Sequence, residues 1–170
     1  AADAGMTLST HLGNGLPQQL PKLENTLLAQ LAEPRLTACL IADGHHMSPA
    51  ALAALIRLKG PHNCILVTDA VLGAAAPPGL YSFAGMAVER TETGAMAQPG
   101  RVNLAGSALC LDQAVRNVVA WTGMDAERAI GLASTAPRRA LADAMARHGV
   151  SFDPGLVHWS GDLMPSVQRL

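Results

Sequence analysis

The feature that most constrains this chain is a set of apolar runs that do not alternate with polar residues. "LTACLIADG" (36–44) and "NCILVTDA" (63–70) are such runs, each of strand length and each stopping at polar or turn-forming residues, and "MTLST" (6–10) reads as a further short buried strand ending in a turn. A strand with one wet face alternates. A strand that is apolar throughout is covered on both faces, which is the pattern of a parallel sheet. Between these runs lie helical patterns. In "LENTLLAQLAE" (23–33), Leu27, Leu28 and Leu31 share one side. In "SPAALAALIRLKG" (48–60), Ser48 suits the N-cap, Pro49 the first helical position and Gly60 the stop. The alternation of strand and helix predicts an α/β fold.

The rhythm then changes. Residues 79–97 carry shorter strand-like pieces and turn residues, an expected hairpin excursion extending to about residue 104. "LDQAVRNVVAWTG", "DAERAIGLAS" and "APRRALADAMARHG" read as helices, the first and third ending at Gly123 and Gly149. The tail "GLVHWSGDLMPSVQRL" reads as two short strands around a Ser-Gly-Asp turn.

Composition narrows the function classes. With 170 residues, 49% apolar content and a net charge of −1, the chain suits a globular domain with a core. It has no basic stripe for a nucleic acid partner and no apolar run of the roughly 18–20 residues that cross a bilayer. The opening "AADAGM" lacks the basic and apolar regions of a signal peptide. Cys39, Cys64 and Cys110 are odd in number and widely spaced. They read as small buried hydrophobes in a reducing compartment.

Three successive runs end in chemistry-bearing residues: His11 to Asn14, Asp43 to His46, and Asp69. In a parallel sheet or barrel the carboxyl ends of the strands share one face, where active sites are built. Neutral imidazole is a ligand for Zn²⁺ or Fe²⁺, and a nearby carboxylate can take a proton from an activated water. Taken singly, each has a plainer reading: His11 as a hydrogen-bonded structural residue, Asp69 as a helix N-cap, Asp43-Gly44 as a turn. Neighbouring His45 and His46 point opposite ways in an extended chain, so at most one is expected to face a site. His62, His148 and His158 are read as non-functional.

The same segments carry a resemblance. "THLGNGLP", "IADGHH", "ILVTDA" and "LAGSALCLDQAVRN" are similar, in order and spacing, to segments of the N-acetylglucosamine-6-phosphate deacetylases of the amidohydrolase superfamily. The resemblance implies a metal-dependent (β/α)₈ TIM barrel with a small β-sandwich. A whole barrel takes about 250 residues. By this resemblance the chain corresponds to the C-terminal part: strands six to eight with their helices over residues 1–154, then sandwich strands over 155–170. The family's upstream metal-ligand Glu and first metal-ligand His would precede Ala1.

Carried over by position, the resemblance makes His11 a metal ligand, Asp69 the catalytic carboxylate, and Asn14 and Gly15 sugar-phosphate contacts. It places Asp43, Gly44, His45 and His46 at the substrate, with His46 as the contacting imidazole. Leu104, Ala105 and Gly106 line the pocket. Lys22 stands where the family commonly has an Arg that reaches the phosphate from the neighbouring subunit. Lysine keeps the charge and loses the planar fork. Gly13 and Leu16 also depart from the family pattern. The implied protein is a cytoplasmic homodimer that uses a divalent metal, Zn or Fe, to deacetylate N-acetylglucosamine 6-phosphate, with no nucleic acid and no membrane partner. Two rival readings stand beside it. One is another amidohydrolase chemistry, such as deamination or hydrolysis of a different N-acyl sugar. The other is an inactive fragment: with one of the expected metal ligands, the 170 residues by themselves are expected to bind metal poorly and to lack activity.

Overall fold

The computed structural model describes residues 1–101, 103–151 and 155–169, the last without its side chain. Three strands, β1 (Leu8–Ser9), β2 (Thr37–Ile41) and β3 (Cys64–Val67), form a parallel sheet in sequence order. Leu8 pairs with Thr37, and Ala38 to Ile41 pair with Cys64 to Val67. This is the expected α/β arrangement, with one trimming: β1 is two residues long. The chain then enters a turn in which His11 takes a left-handed φ of 31°.

The connecting helices are α1 (Thr26–Ala32) and α2 (Pro49–Lys59). In α2, the Ser48 hydroxyl accepts from Ala51 N, Pro49 opens the helix and Gly60 closes it at φ 83°, as the capping residues predict. Helix α1 starts later than expected because the Asn25 side chain accepts from Leu28 N and sets the N-terminus. Leu27 and Leu31 pack on the core, whereas Leu28 faces solvent, so the apolar stripe is narrower than the spacing implied. At the other end of α1, Lys59 is 6% exposed and donates to the carbonyls of Gln30, Leu31 and Glu33 at 2.9, 3.3 and 2.7 Å. A lysine thus closes the carbonyls that the helix leaves open.

Helices α3 (Leu111–Thr122), α4 (Ala126–Ala133) and α5 (Thr135–His148) follow. The main core joins Leu40, Cys64 and Leu66 of the sheet to Leu52 and Ile56 of α2, Val115 and Val118 of α3 and Leu132 of α4. The register partners Cys39 and Ile65 lie on the other sheet face, against Ala136 of α5. Burial on both faces explains why these strands lack alternation. Cys39 and Cys64 are buried as expected, but Cys110 is exposed, because it precedes α3 rather than sitting in a strand.

The excursion is a three-stranded antiparallel sheet: β4 (Gly79–Phe83), β5 (Met86–Arg90) and β6 (Met96–Ala97). Ala97 bridges to Leu104, which returns the chain to the main body. The tail is the expected hairpin, β7 (Gly155–Trp159) and β8 (Pro165–Arg169). Trp159 packs against the main core, and Arg116 of α3 donates to the carbonyl of Leu163 in the hairpin turn at 2.9 Å. Among the described residues no helix is long and apolar enough to cross a membrane.

Candidate active site

The carboxyl ends of β1, β2 and β3 open into one cleft of about 790 Å³. Of the residues expected from the sequence, His11, Asn14, Gly15, His45, His46, Asp69, Leu104 and Gly106 line it. Parallel pairing achieves this, since it puts three sequence-distant strand ends on one edge.

After β1, Leu12 N donates to Cys39 O at 2.8 Å and ties the loop to β2. Asn14 turns back on His11: its backbone N and side-chain Nδ2 donate to His11 O at 2.9 and 3.1 Å. Gly15 has φ 68°, a conformation that favours glycine. The Nδ1 atom of His11 is buried with no hydrogen-bond partner. A buried polar atom without a partner costs free energy that a ligand can recover. His11 therefore fits a metal ligand. Among the described residues, however, no group of three or more His, Cys, Asp or Glu could hold an ion.

After β2, Asp43 organises the turn. Its Oδ1 accepts from His45 N and His46 N, both at 2.9 Å, and its Oδ2 lies 2.6 Å from His46 Nδ1. Both side chains are 7% exposed. Burial by itself would raise the Asp43 pKa, but the hydrogen bonds from the His46 ring and the two backbone N–H groups outweigh it, and the carboxyl sits below its ordinary value. With Nδ1 committed to Asp43, Nε2 is the His46 nitrogen left for a ligand. Asp43 is not among the residues lining the cleft; its carboxylate faces the turn, bonded to His45 N, His46 N and the His46 ring. Gly44 is also off the cleft wall. His45 and His46 both line it, contrary to the extended-chain expectation, because residues 43–47 form a bend rather than an extended strand.

After β3, Asp69 is exposed on the cleft and has φ 52°, a left-handed value that Asp tolerates better than most residues. The 104–107 loop holds it by the backbone. Ser107 N donates to Asp69 O at 2.8 Å, Val71 N to Ser107 O at 3.0 Å, and the Ser107 hydroxyl to Thr68 O. Gly106 passes so close that a β-carbon there would stand 2.9 Å from Asp69 O and 2.6 Å from Val71 Cγ1. Ala105 does not line the cleft; its N–H donates to Met96 O at 2.9 Å and joins the loop to β6. Lys22 is exposed in the segment before α1 and is not part of the cleft wall. Gly13, Leu16, Gln18 and Asn103 complete the lining. Gln18 and Asn103 escaped the sequence reading, although each lies beside a segment that drew attention.

Comparison with known proteins places this geometry. No protein-family model matches the chain. Over 131 residues it is 37% identical to a provisionally assigned N-acetylgalactosamine-6-phosphate deacetylase of Escherichia coli (strain K12), covering 77% of each chain. The chain belongs to the amino-sugar-6-phosphate deacetylase family. It is also 37% identical over 141 residues to the N-acetylgalactosamine-6-phosphate deacetylase of Escherichia coli O157:H7, covering 83% of this chain and 37% of that one. With the N-acetylglucosamine-6-phosphate deacetylase of Lysinibacillus sphaericus, identity is 35% over 134 residues, covering 79% and 34%. The family fold agrees. N-acetyl-D-glucosamine-6-phosphate deacetylase of Mycobacterium smegmatis, solved as an aspartate-to-alanine variant in complex with N-acetyl-D-glucosamine-6-phosphate, superposes with a TM-score of 0.83 at 27% identity. That match covers 99% of this chain and 45% of the other. The Thermotoga maritima deacetylase gives a TM-score of 0.83 at 25% identity, covering 96% and 45%. This member of the deacetylase family thus spans less than half of the solved structures it matches and about a third of several relatives.

Proposed function

We propose that the cleft is the substrate end of a metal-dependent amidohydrolase site that removes the acetyl group from an N-acetylhexosamine 6-phosphate. The observation that carries this is the meeting of His11, His46 and Asp69 at three strand ends in one cleft, in a chain of the deacetylase family. In this reading residues 1–154 supply the last strands and helices of the TIM barrel, and 155–170 supply strands of the small sandwich. His11 would hold a divalent Zn or Fe ion, together with ligands from the part of the family fold that these residues do not span. The ion, when bound, supplies Lewis-acid polarisation of the acetyl carbonyl.

The chain's own groups do the rest. Asp69 accepts a proton from the attacking water as its oxygen bonds to the carbonyl carbon. When the C–N bond breaks, Asp69 returns the proton to the amine nitrogen, and acetate and the free amino sugar phosphate leave. Asn14, the Gly15 backbone and His46 hold the sugar phosphate, and Leu104 and Gly106 wall the pocket. Lys22, absent from this cleft, reaches the phosphate of a neighbouring copy in a cytoplasmic homodimer.

The test is acetate release from N-acetylglucosamine 6-phosphate by a family-length polypeptide containing this sequence. Asp69→Asn is expected to lower kcat by about 10²- to 10⁴-fold with metal content retained. Normal turnover by that variant would remove Asp69 from its role. The galactose epimer belongs in the same assay, because two relatives at 37% identity carry the N-acetylgalactosamine-6-phosphate name.

A further inference from the structure

The Asp43–His46 pair does not stand alone. Directly beneath it, Asn117 of α3 donates from Nδ2 to the carbonyl of Ala42 at 2.7 Å. Ala42 is fully buried, and its carbonyl belongs to the peptide that leads into Asp43. The direction of the Asn117 amide is itself set: Gln113 Nε2 donates to Asn117 Oδ1 at 2.8 Å, which leaves Nδ2 toward Ala42. Gln113 in turn accepts from Arg116 Nε and Nη2 at 3.2 and 3.0 Å. One turn beyond Asn117, on the same side of α3, Trp121 underlies the loop: a β-carbon on Gly44 would stand 3.6 Å from its ring.

We propose that Asn117 is a positioning residue for His46. It fixes the 42–43 peptide, that peptide aims the Asp43 carboxylate, and the carboxylate holds the imidazole with Nε2 toward the cleft. Asn117 is not among the residues lining the cleft and donates to the Ala42 carbonyl, and no change of charge is involved. Its effect passes through one carbonyl and one carboxylate. For its consequence the idea rests on the reading of the cleft as a sugar-phosphate site, since a turned His46 would no longer meet the sugar.

The test reads the ring proton, so it is independent of turnover. In ¹⁵N-labelled protein, His46 should show a protonated, slowly exchanging Nδ1 and an unprotonated Nε2 at mildly alkaline pH, and Asp43→Asn should abolish the slow exchange and so assign it. Asn117→Leu should speed exchange of that proton by roughly tenfold, the scale of one lost hydrogen bond, while the ring signals of His62, His148 and His158 stay in place. Gln113→Ala, at an exposed position that a folded chain tolerates, should shift it the same way by roughly twofold. Unchanged exchange in a folded Asn117→Leu protein overturns the proposal. If that variant does not fold, unchanged exchange in Gln113→Ala overturns it. Absence of a slow His46 Nδ1 proton in the parent also overturns it. If instead the proton behaves as described and no acetamido sugar is hydrolysed, the positioning stands and the deacetylase reading fails.

Discussion

Asp43 Oδ2 lies 2.6 Å from Nδ1 of His46, with each side chain 7% exposed. This pair makes the end of β2 a rigid turn rather than a loose loop. An Asp43→Asn protein should be less stable than the parent by about 1–3 kcal/mol at neutral pH, the cost of weakening charge-assisted hydrogen bonds. The pH dependence has a definite sign. The folded Asp43 pKa lies below the free value of 3.8. Its contribution is therefore full above that value and is lost as pH falls through the lowered folded pKa. Urea denaturation at neutral and acid pH checks this; an equal gap between parent and variant across the whole acid range would contradict it.

Gly106→Ala tests how Asp69, the proposed catalytic carboxylate, is held. The new methyl would have to displace Val71 and the Asp69 carbonyl, at a φ of 77° that disfavours alanine. A loss of roughly 2 kcal/mol or more is expected, together with altered backbone resonances at Asp69 and Ser107. A variant as stable as the parent would show that this approach is looser than the structure has it.

Lys59 is the one lysine buried among the described residues, and it satisfies three carbonyls at the end of α1. Lys59→Met keeps the apolar stem and removes the donors. It should destabilise by roughly 1–3 kcal/mol. A change within ~0.5 kcal/mol of zero, the range typical of an exposed position, would mean that water replaces the ammonium freely.

Thiol reactivity should separate the three cysteines. Burial pushes the Cys64 thiol up to about 12, against a smaller opposing influence of Lys59, and burial also raises Cys39. Cys110 is exposed. Alkylation of the native protein, followed by mass, should stop at one modification, on Cys110. Early modification of Cys39 or Cys64 would show that the sheet opens more readily than its packing implies.

Much of this was legible in the sequence because single residues carry strong local signals. Ser48, Pro49 and Gly60 delimit α2, and the unbroken runs at 36–41 and 63–67 mark strands covered on both sides. His11, His46 and Asp69 were legible as strand-end residues because parallel pairing maps sequence order onto one edge. Other features were not, since they depend on contacts between distant segments. The Ala42 carbonyl leading into Asp43 is held by Asn117, 75 residues away. The late start of α1 depends on Asn25 outcompeting its neighbours as a cap. Gln18 and Asn103 line the cleft only because two loops meet there, a meeting with no periodic signature.

The most direct test of the central claim is a titration of ¹⁵N-labelled protein with N-acetylglucosamine 6-phosphate and, separately, its N-acetylgalactosamine epimer. Saturable shifts are expected at Asn14, Gly15, His46, Asp69, Leu104 and Gly106 and, across the dimer, at Lys22. Shifts confined instead to the separate cleft near His62, Arg128 and Arg139, or no saturable shift with either sugar, would contradict it.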